Sequence, residues 1–356
     1  MCCVCTLALR NHNQATVSYL LLQRLAKCQV VQVMKTWLTI INTVDDEEQH
    51  KGNIVQAVCS SRTIEPTDTK LITFYRMSKH AYLELVKLVV PAIQKIDTNM
   101  RECVTAEERI LITLRYGTWV QNVSLYYLLS SYFATEETTK LIWDVLKVVY
   151  MPVRTINEWK TIIIWDLSNC IGAVDGKHIR IEKFPNTGPQ NYNYKFFHST
   201  VLLACCDADW LFTMTEPGYT GRNSDGGIFN TSAMKFWMTH GGLDTPTPSP
   251  LEYDETKSPL PYYFVGDEAF PLSHYMMRPY SQRTLDSGKR IFNFRLSRGR
   301  KTIECTFGMA AEKFTVLNGC IRSQNAETIN FIVKSACVLH NVVQKLQGID
   351  YRRWRG

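Results

Sequence analysis

Apolar spacing divides the chain near residue 165 into a helical stretch and a stretch of mixed period. From Met77 to Tyr150 apolar residues recur every three or four positions, the spacing of an amphipathic helix. Ser78 is placed to cap a helix carrying Leu83, Val86 and Val90 that ends near Pro91. Thr105 and Glu108 have capping-box spacing ahead of Ile110, Leu111 and Leu114, and Gly117 closes that helix. Ser124–Ser130 predicts a short second helix, and Thr135 a cap for a third with the stripe Leu141, Val145 and Val148 before Pro152. Three short helices with tight turns have the outline of a helix-turn-helix unit.

After residue 165 the period shortens. Cys170–Val174 and Tyr262–Gly266 are short apolar runs of buried-strand character, and Ser199–Cys206 with Leu211–Thr215 forms a hairpin about Asp207-Ala208-Asp209. A helix is expected from about Asp225 to Met238, then a Pro/Thr/Gly-rich loop over 241–261. Two further helices carry Ile303, Phe307, Ala311 and Phe314, and Ile329, Ile332, Val333, Ala336, Leu339 and Val343. Strand, hairpin, helix, strand, helix is an α/β order. No internal repeat is present.

Before Met77, Ala26, Val30, Val33, Trp37, Ile40 and Val44 fall on one helical stripe suited to docking. Arg24, Lys27, Gln29, Gln32 and Lys35 interrupt the surrounding stretch, so it does not supply the roughly 20 apolar residues of a membrane span, and no membrane partner is expected. Residues 45–70 are polar and read as a linker. At 356 residues, 45% hydrophobic and 21% charged, the chain has room for about two packed domains. Twelve cysteines are scattered through apolar patterns, as core thiols of a reducing compartment would be, and the single C-x-x-C of Cys2 and Cys5 lacks a second pair for zinc. An intracellular protein is expected.

The formal charge of +7 permits a nucleic-acid partner without requiring one. Its distribution is more informative. Between Arg278 and Lys301 lie eight basic residues and one acid, Asp286, and the cluster runs into Glu304. Attraction to phosphate and a solvated helix face are the two readings of such a run.

Three carboxylates carry the candidate chemistry. Asp175 and Asp267 each follow a predicted strand, and Glu304 sits on a predicted helix. Convergent carboxylates on rigid elements suit hard divalent cations, and two ions about 4 Å apart suit phosphodiester hydrolysis. Asp175 would be shared, Asp267 would complete one ion and Glu304 the other. Gly176 and Gly266 would leave room for a phosphate. Without metal the clustered acids should repel one another and their pKa values rise. Taken singly each has an ordinary reading: a turn for Asp175, a strand end for Asp267, an i,i+4 pair with Arg300 for Glu304.

The motifs Gly172-Ala173-Val174-Asp175-Gly176-Lys177-His178-Ile179, Tyr194-Lys195-Phe196-Phe197, Gly221-Arg222-Asn223-Ser224-Asp225-Gly226-Gly227, Gly266–Leu272, Phe292–Arg298 and Leu339-His340-Asn341 occur in this order. Together with Tyr75–Ser78, Asp97–Arg101 and Thr105–Tyr116, they resemble the PIF/Harbinger transposases and the Harbinger transposase-derived nuclease over about Phe74–Gln347. The resemblance implies a ribonuclease H-like catalytic domain (a mixed sheet with flanking helices) over 165–347, preceded by a helix-turn-helix-like region over 71–155 and a divergent arm and linker over 1–70. It implies a DDE triad at Asp175, Asp267 and Glu304, two Mg²⁺ or Mn²⁺ ions, metal-dependent cutting of DNA, a Myb-like protein partner and a place in the nucleus, with the cytoplasm and a homo-oligomer left open. A non-cutting DNA- or chromatin-binding adaptor is the alternative. Lys177, His178, Arg180, Lys195, Arg295, Arg298, Arg300 and Lys301 are the candidate DNA contacts, with packing open for His178 and solvation for the cations. Tyr192, Tyr194 and Lys195 could grip a strand, or the tyrosines could be core. Glu136 and Glu137 would repel phosphate at the start of the third helix. Asp225 is read as an N-cap.

Overall fold

A computed structural model describes residues 68–95, 105–118, 136–162, 167–185, 188–251, 255–281, 283 and 285–347. The stripe from Ala26 to Val44, the Cys2/Cys5 pair, the Ser124–Ser130 helix and the Thr135 cap lie outside them. Among the described residues the helical stretch comprises α1 (Asp68–Tyr75), α2 (Lys79–Ile93), α3 (Ala106–Thr118), α4 (Glu136–Tyr150) and α5 (Ile156–Thr161). α1 begins within the span expected to be linker. Ser78 caps α2 as predicted, its hydroxyl accepting from Ala81 N–H at 3.3 Å. A helix over 156–161 was not expected. It is built by a capping box in which Thr155 Oγ1 accepts from Glu158 N–H and Glu158 Oε2 accepts from Thr155 N–H at 2.7 Å.

The helices exist where periodicity puts them, but their buried faces are rotated. α2 buries Ala81, Tyr82, Leu85, Val89 and Ile93 and exposes Leu83, and it continues past Pro91. α4 buries Thr138, Thr139, Ile142, Leu146 and Tyr150, while Val148 is 68% exposed. Both threonines count as core because the fold satisfies them. Thr138 Oγ1 accepts from the buried Arg109 guanidinium at 2.8 Å, and Ser335 donates to the Thr139 carbonyl at 2.7 Å. Glu137 pairs with Lys95 at 2.8 Å and with Arg109 at 3.4 Å, and the Lys95 hydrogen bond holds its carboxyl below the usual range.

The sheet has five strands in the order β3-β2-β1-β4-β5: β1 (Cys170–Arg180), β2 (Ser199–Cys206), β3 (Phe212–Thr220), β4 (Tyr263–Val265) and β5 (Met276–Met277). β1, β2 and β3 are antiparallel, whereas β4 and β5 run parallel to β1. β2 is buried at every position: Val201–Cys206 is an apolar run, and the polar Ser199 and Thr200 are buried with it. β1 is longer than expected. It runs through Asp175, paired with Ala204, and on to Arg180, paired with Ser199. The polar residues 175–178 hid that continuation.

The expected single helix after β3 is two, α6 (Asp225–Thr231) and α7 (Ala233–Thr239). Ser232 separates them: its N–H bonds back to Phe229 C=O at 3.1 Å, and its hydroxyl caps α7 through Lys235 N–H at 3.0 Å. The long helix α8 (Ser287–Lys313), capped by Asp286 through Lys289 N–H at 2.8 Å, takes in most of the basic run. α9 (Ala326–Gln347) is the last.

One core unites α1–α4, one face of the sheet, α8 and α9, while Ile171, Val174, Leu203, Ile228, Phe229, Phe264 and Trp159 form a second on the opposite face. The six described cysteines are free thiols, four of them buried. Among the described residues no helix is long and apolar enough to cross a membrane.

Candidate metal centre

Three carboxylates converge at the sheet, and only two belong to the expected triad. Asp175, Asp225 and Asp267 each offer an oxygen within 4.8 Å of the others. Asp175 projects from the middle of β1, not from beyond its end. Asp267 follows β4, the parallel neighbour of β1, where its Oδ1 accepts from Ala269 N–H at 2.8 Å. Asp225 is the first residue of α6. It is not the N-cap; that role belongs to Ser224, which accepts from Gly227 N–H at 3.3 Å.

Two glycines make the convergence possible. A Cβ on Gly176 would lie 2.1 Å from Asp225 Oδ1, and one on Gly226 would lie 2.1 Å from the Ala269 carbonyl oxygen. The first lets the Asp225 carboxylate lie against β1, and the second lets α6 press on the turn that carries Asp267. The space beside Gly176 is therefore filled by a ligand candidate rather than left for phosphate. Beside Gly266 the Phe270 ring fills it.

Glu304 stays outside this group. It is one turn beyond Arg300 on α8, its side chain 54% exposed, and Arg300 Nη2 donates to its Oε1 at 3.2 Å. The i,i+4 pairing is what the structure displays, because residues four apart on a helix face one another.

The electrostatics follow from burial first and from crowding second. Burial pushes the Asp175 carboxyl up to about 7; the Gly176 N–H, donating to Oδ1 at 2.8 Å, opposes the rise, the charges of Asp225 and Asp267 add to it, and Arg300 partly offsets it. Burial and Asp267 also raise Asp225, against the pull of Lys195. Of the expected set the rise is seen at Asp175, with burial ahead of like charge as its cause, and Asp225 shares it. An all-oxygen set of partly buried carboxylates is the donor chemistry of Mg²⁺, Mn²⁺ or Ca²⁺ and not of zinc. Its spread fits a hard cation: about 2.1 Å to each oxygen puts opposite ligands about 4 Å apart.

The surrounding cations differ in role. Lys177 is half-buried, bonded to Asn318 Oδ1 at 3.2 Å over the Phe307 ring, and burial lowers its pKa. His178 is packed: its Nδ1 lies 2.9 Å from Ser199 Oγ, and burial lowers its pKa too. Arg180 sits over the Phe197 ring at 5.0 Å, and Lys195 over Tyr194 at 5.3 Å. Arg295, Arg298 and Lys301 are exposed along α8.

Residues 174–341 match the family model described as DDE superfamily endonuclease. This segment, just under half of the chain, is similar to the DDE superfamily endonucleases. The DDE segment opens one residue before Asp175 and takes in Asp225, Asp267 and Glu304. Over 181 residues, 50% of the chain, there is 26% identity to Protein ALP1-like of Arabidopsis thaliana, and the match spans 43% of that protein. No solved structure matches. The DDE segment closes on Asn341, which is structural: fully buried, it accepts from Phe212 N–H at 2.9 Å and donates to Phe212 C=O at 2.8 Å and Tyr150 C=O at 3.0 Å. Sequence reasoning missed Asp225 as a ligand candidate, although Ser224 beside it is the better cap and Gly226 after it signals a close approach.

Proposed function

We propose that this chain is a metal-dependent DNA endonuclease of transposase descent, of the PIF/Harbinger kind its motifs resemble. The observation that carries the reading is the convergence of Asp175, Asp225 and Asp267 from β1, α6 and the turn after β4. The five-stranded mixed sheet with helices on both faces supports a ribonuclease H-like domain. A bound Mg²⁺ or Mn²⁺ would lower the pKa of a coordinated water and offset charge on the phosphate oxygens. The chain itself supplies the rest. Asp175, Asp225 and Asp267 would hold the ion from partly buried positions that leave it open to water and phosphate. Arg295, Arg298 and Lys301 are placed to neutralise backbone phosphates along α8. Glu304 would serve a second ion only on leaving Arg300. The water oxygen would join phosphorus as one ester P–O bond breaks, the water giving up a proton to solvent and the leaving oxygen taking one up. DNA in the nucleus is the proposed substrate, with a Myb-like protein as the proposed partner.

One observation favours a second reading, a catalytically silent DNA- or chromatin-binding adaptor. Arg300 holds Glu304, and its charge also reaches Asp175, so a guanidinium occupies ground the second cation would need. Plasmid nicking in Mg²⁺ or Mn²⁺, with calorimetry for metal binding, separates the two. Nicking by the wild type, lost in Asp267→Asn and Asp225→Asn, supports the enzyme. Salt-sensitive DNA binding with neither metal uptake nor nicking supports the adaptor. Glu304→Gln shows whether Glu304 takes part.

A further inference from the structure

We infer that Tyr194 and Phe196 form a stacking platform for an unpaired base of the DNA, next to the acidic centre, so that the preferred substrate carries a nucleotide displaced from its helix. This rests on the nucleic-acid reading above and narrows its substrate class.

The platform belongs to the loop between β1 and β2, which is folded around one buried side chain. Asn193 Oδ1 accepts from Lys195 N–H at 2.9 Å and Phe197 N–H at 3.3 Å, and its Nδ2 donates to Ser199 Oγ at 2.9 Å. Its backbone closes the turn from both sides, accepting from Phe196 N–H at 3.1 Å and donating to Phe197 C=O at 3.0 Å. The loop is thus built to one shape, and that shape is costly. Phe196 adopts φ +64°, a left-handed conformation disfavoured for a bulky residue. It also holds two rings in water, Tyr194 at 73% and Phe196 at 80% exposure. Neither ring gains the burial that normally justifies an aromatic side chain. Strain and exposure combined on a rigid frame point to a ligand that covers the rings.

The neighbouring charges say which ligand. Lys195 lies over the Tyr194 ring, Arg180 over Phe197, and the Tyr194 ring meets His178 edge-on at 5.5 Å. Aromatic faces interleaved with cations are the pattern that grips single-stranded nucleic acid, the rings taking bases and the cations phosphates. The place is right as well. His178 is two residues along β1 from Gly176, on the same face and about 7 Å away at strand spacing, the Asp225 carboxylate lies against Gly176, and Lys195 is close enough to Asp225 for its charge to be felt there. A base inside a duplex has both faces covered by its neighbours, so only a flipped, bulged or terminal base can lie on these rings.

The test compares two DNA hairpins of one sequence, one fully paired and one with a single bulged 2-aminopurine. Affinity for the full chain is measured in EDTA at fixed salt, where no cutting is required. The bulged hairpin should bind about tenfold tighter, with 2-aminopurine fluorescence quenched on stacking. The preference should vanish in Tyr194→Ala and Phe196→Ala and persist in Phe196→Trp. Both alanine variants remove exposed rings, and unchanged circular dichroism confirms their fold. Equal wild-type affinities, a preference that survives both alanine variants, or unquenched fluorescence (as when a protein partner or another segment of this chain covers the rings) overturns the platform. Nicking is scored separately on plasmid. Nicking without a bulge preference sinks the platform alone, whereas a bulge preference without nicking sustains the platform and sinks only the nuclease.

Discussion

A buried and a partly buried carboxylate on this sheet meet opposite company. Asp207, at the turn between β2 and β3, is fully buried and forms an ion pair with Arg154, and its Oδ1 accepts from Asp209 N–H at 2.9 Å and Leu211 N–H at 3.0 Å. Burial raises its pKa, and Arg154 with the two N–H groups works against the rise. Asp175, in the middle of β1, has one backbone donor and two like-charged neighbours. The first is a closed structural knot. The second is a cluster of like charges that the fold offsets only in part, through Arg300 and one N–H. A buried acid alone does not announce a site; what matters is whether the fold itself neutralises it.

The largest expected effect lies at the closed end. Asp207→Ala leaves Arg154 without its partner and two N–H groups without an acceptor, and should cost about 3–5 kcal/mol in urea unfolding. A loss below about 1 kcal/mol would remove the contrast. The same end should be acid-sensitive. His340 Nε2–H donates to the Trp210 carbonyl at 2.9 Å, and burial lowers the His340 pKa to about 4. Its folded pKa lies below the unfolded value of about 6.5, so the unfolded chain binds the proton first. Stability should fall by roughly 3 kcal/mol as pH drops from about 6.5 to 4, and His340→Gln should flatten that part of the profile.

At the open end the expected response is to cations. Mg²⁺ or Mn²⁺ at about a hundred times its dissociation constant should stabilise the protein by about 2.7 kcal/mol. The gain should disappear in Asp175→Asn and Asp225→Asn and persist in Asp207→Asn, as read by thermal shift. A gain that survives Asp225→Asn would remove that residue from the centre. The smallest effect concerns the metal-free protein. The folded pKa of Asp175 is above its unfolded one, so its favourable contribution is complete in acid and fades as pH rises through about 7. Between pH 5 and 7 the wild type should lose about 2 kcal/mol relative to Asp175→Asn. Parallel profiles would mean that the cluster is better solvated than its burial suggests.

Much of the acid-bearing domain was legible in one dimension. β2 was read to the residue because Val201–Cys206 is an unbroken apolar run behind Ser199-Thr200, and the hairpin turn at Asp207 followed from Asp-Ala-Asp between two apolar runs. Asp267 was placed correctly beyond the strand beside β1. The failures share a cause. β1 continues through Asp-Gly-Lys-His, the buried faces of α2 and α4 are turned from the apolar stripes, and Thr138 and Thr139 are core. In each case polar residues are buried because a distant partner satisfies them, and that partner is not visible locally.

The sequence by itself determined the order of β1 to β4 and of the longer helices, the core thiols, the basic run on α8 and two of the converging acids, because each is written in local spacing and residue type. Only the tertiary structure decided that Asp225 joins Asp175 and Asp267, that Arg300 holds Glu304, and that Tyr194 and Phe196 stand in solvent. Those outcomes depend on how closely α6 approaches β1 across Gly176 and on how Asn193 folds its loop. Close approach is a property of packed surfaces, set by atoms far apart in the chain.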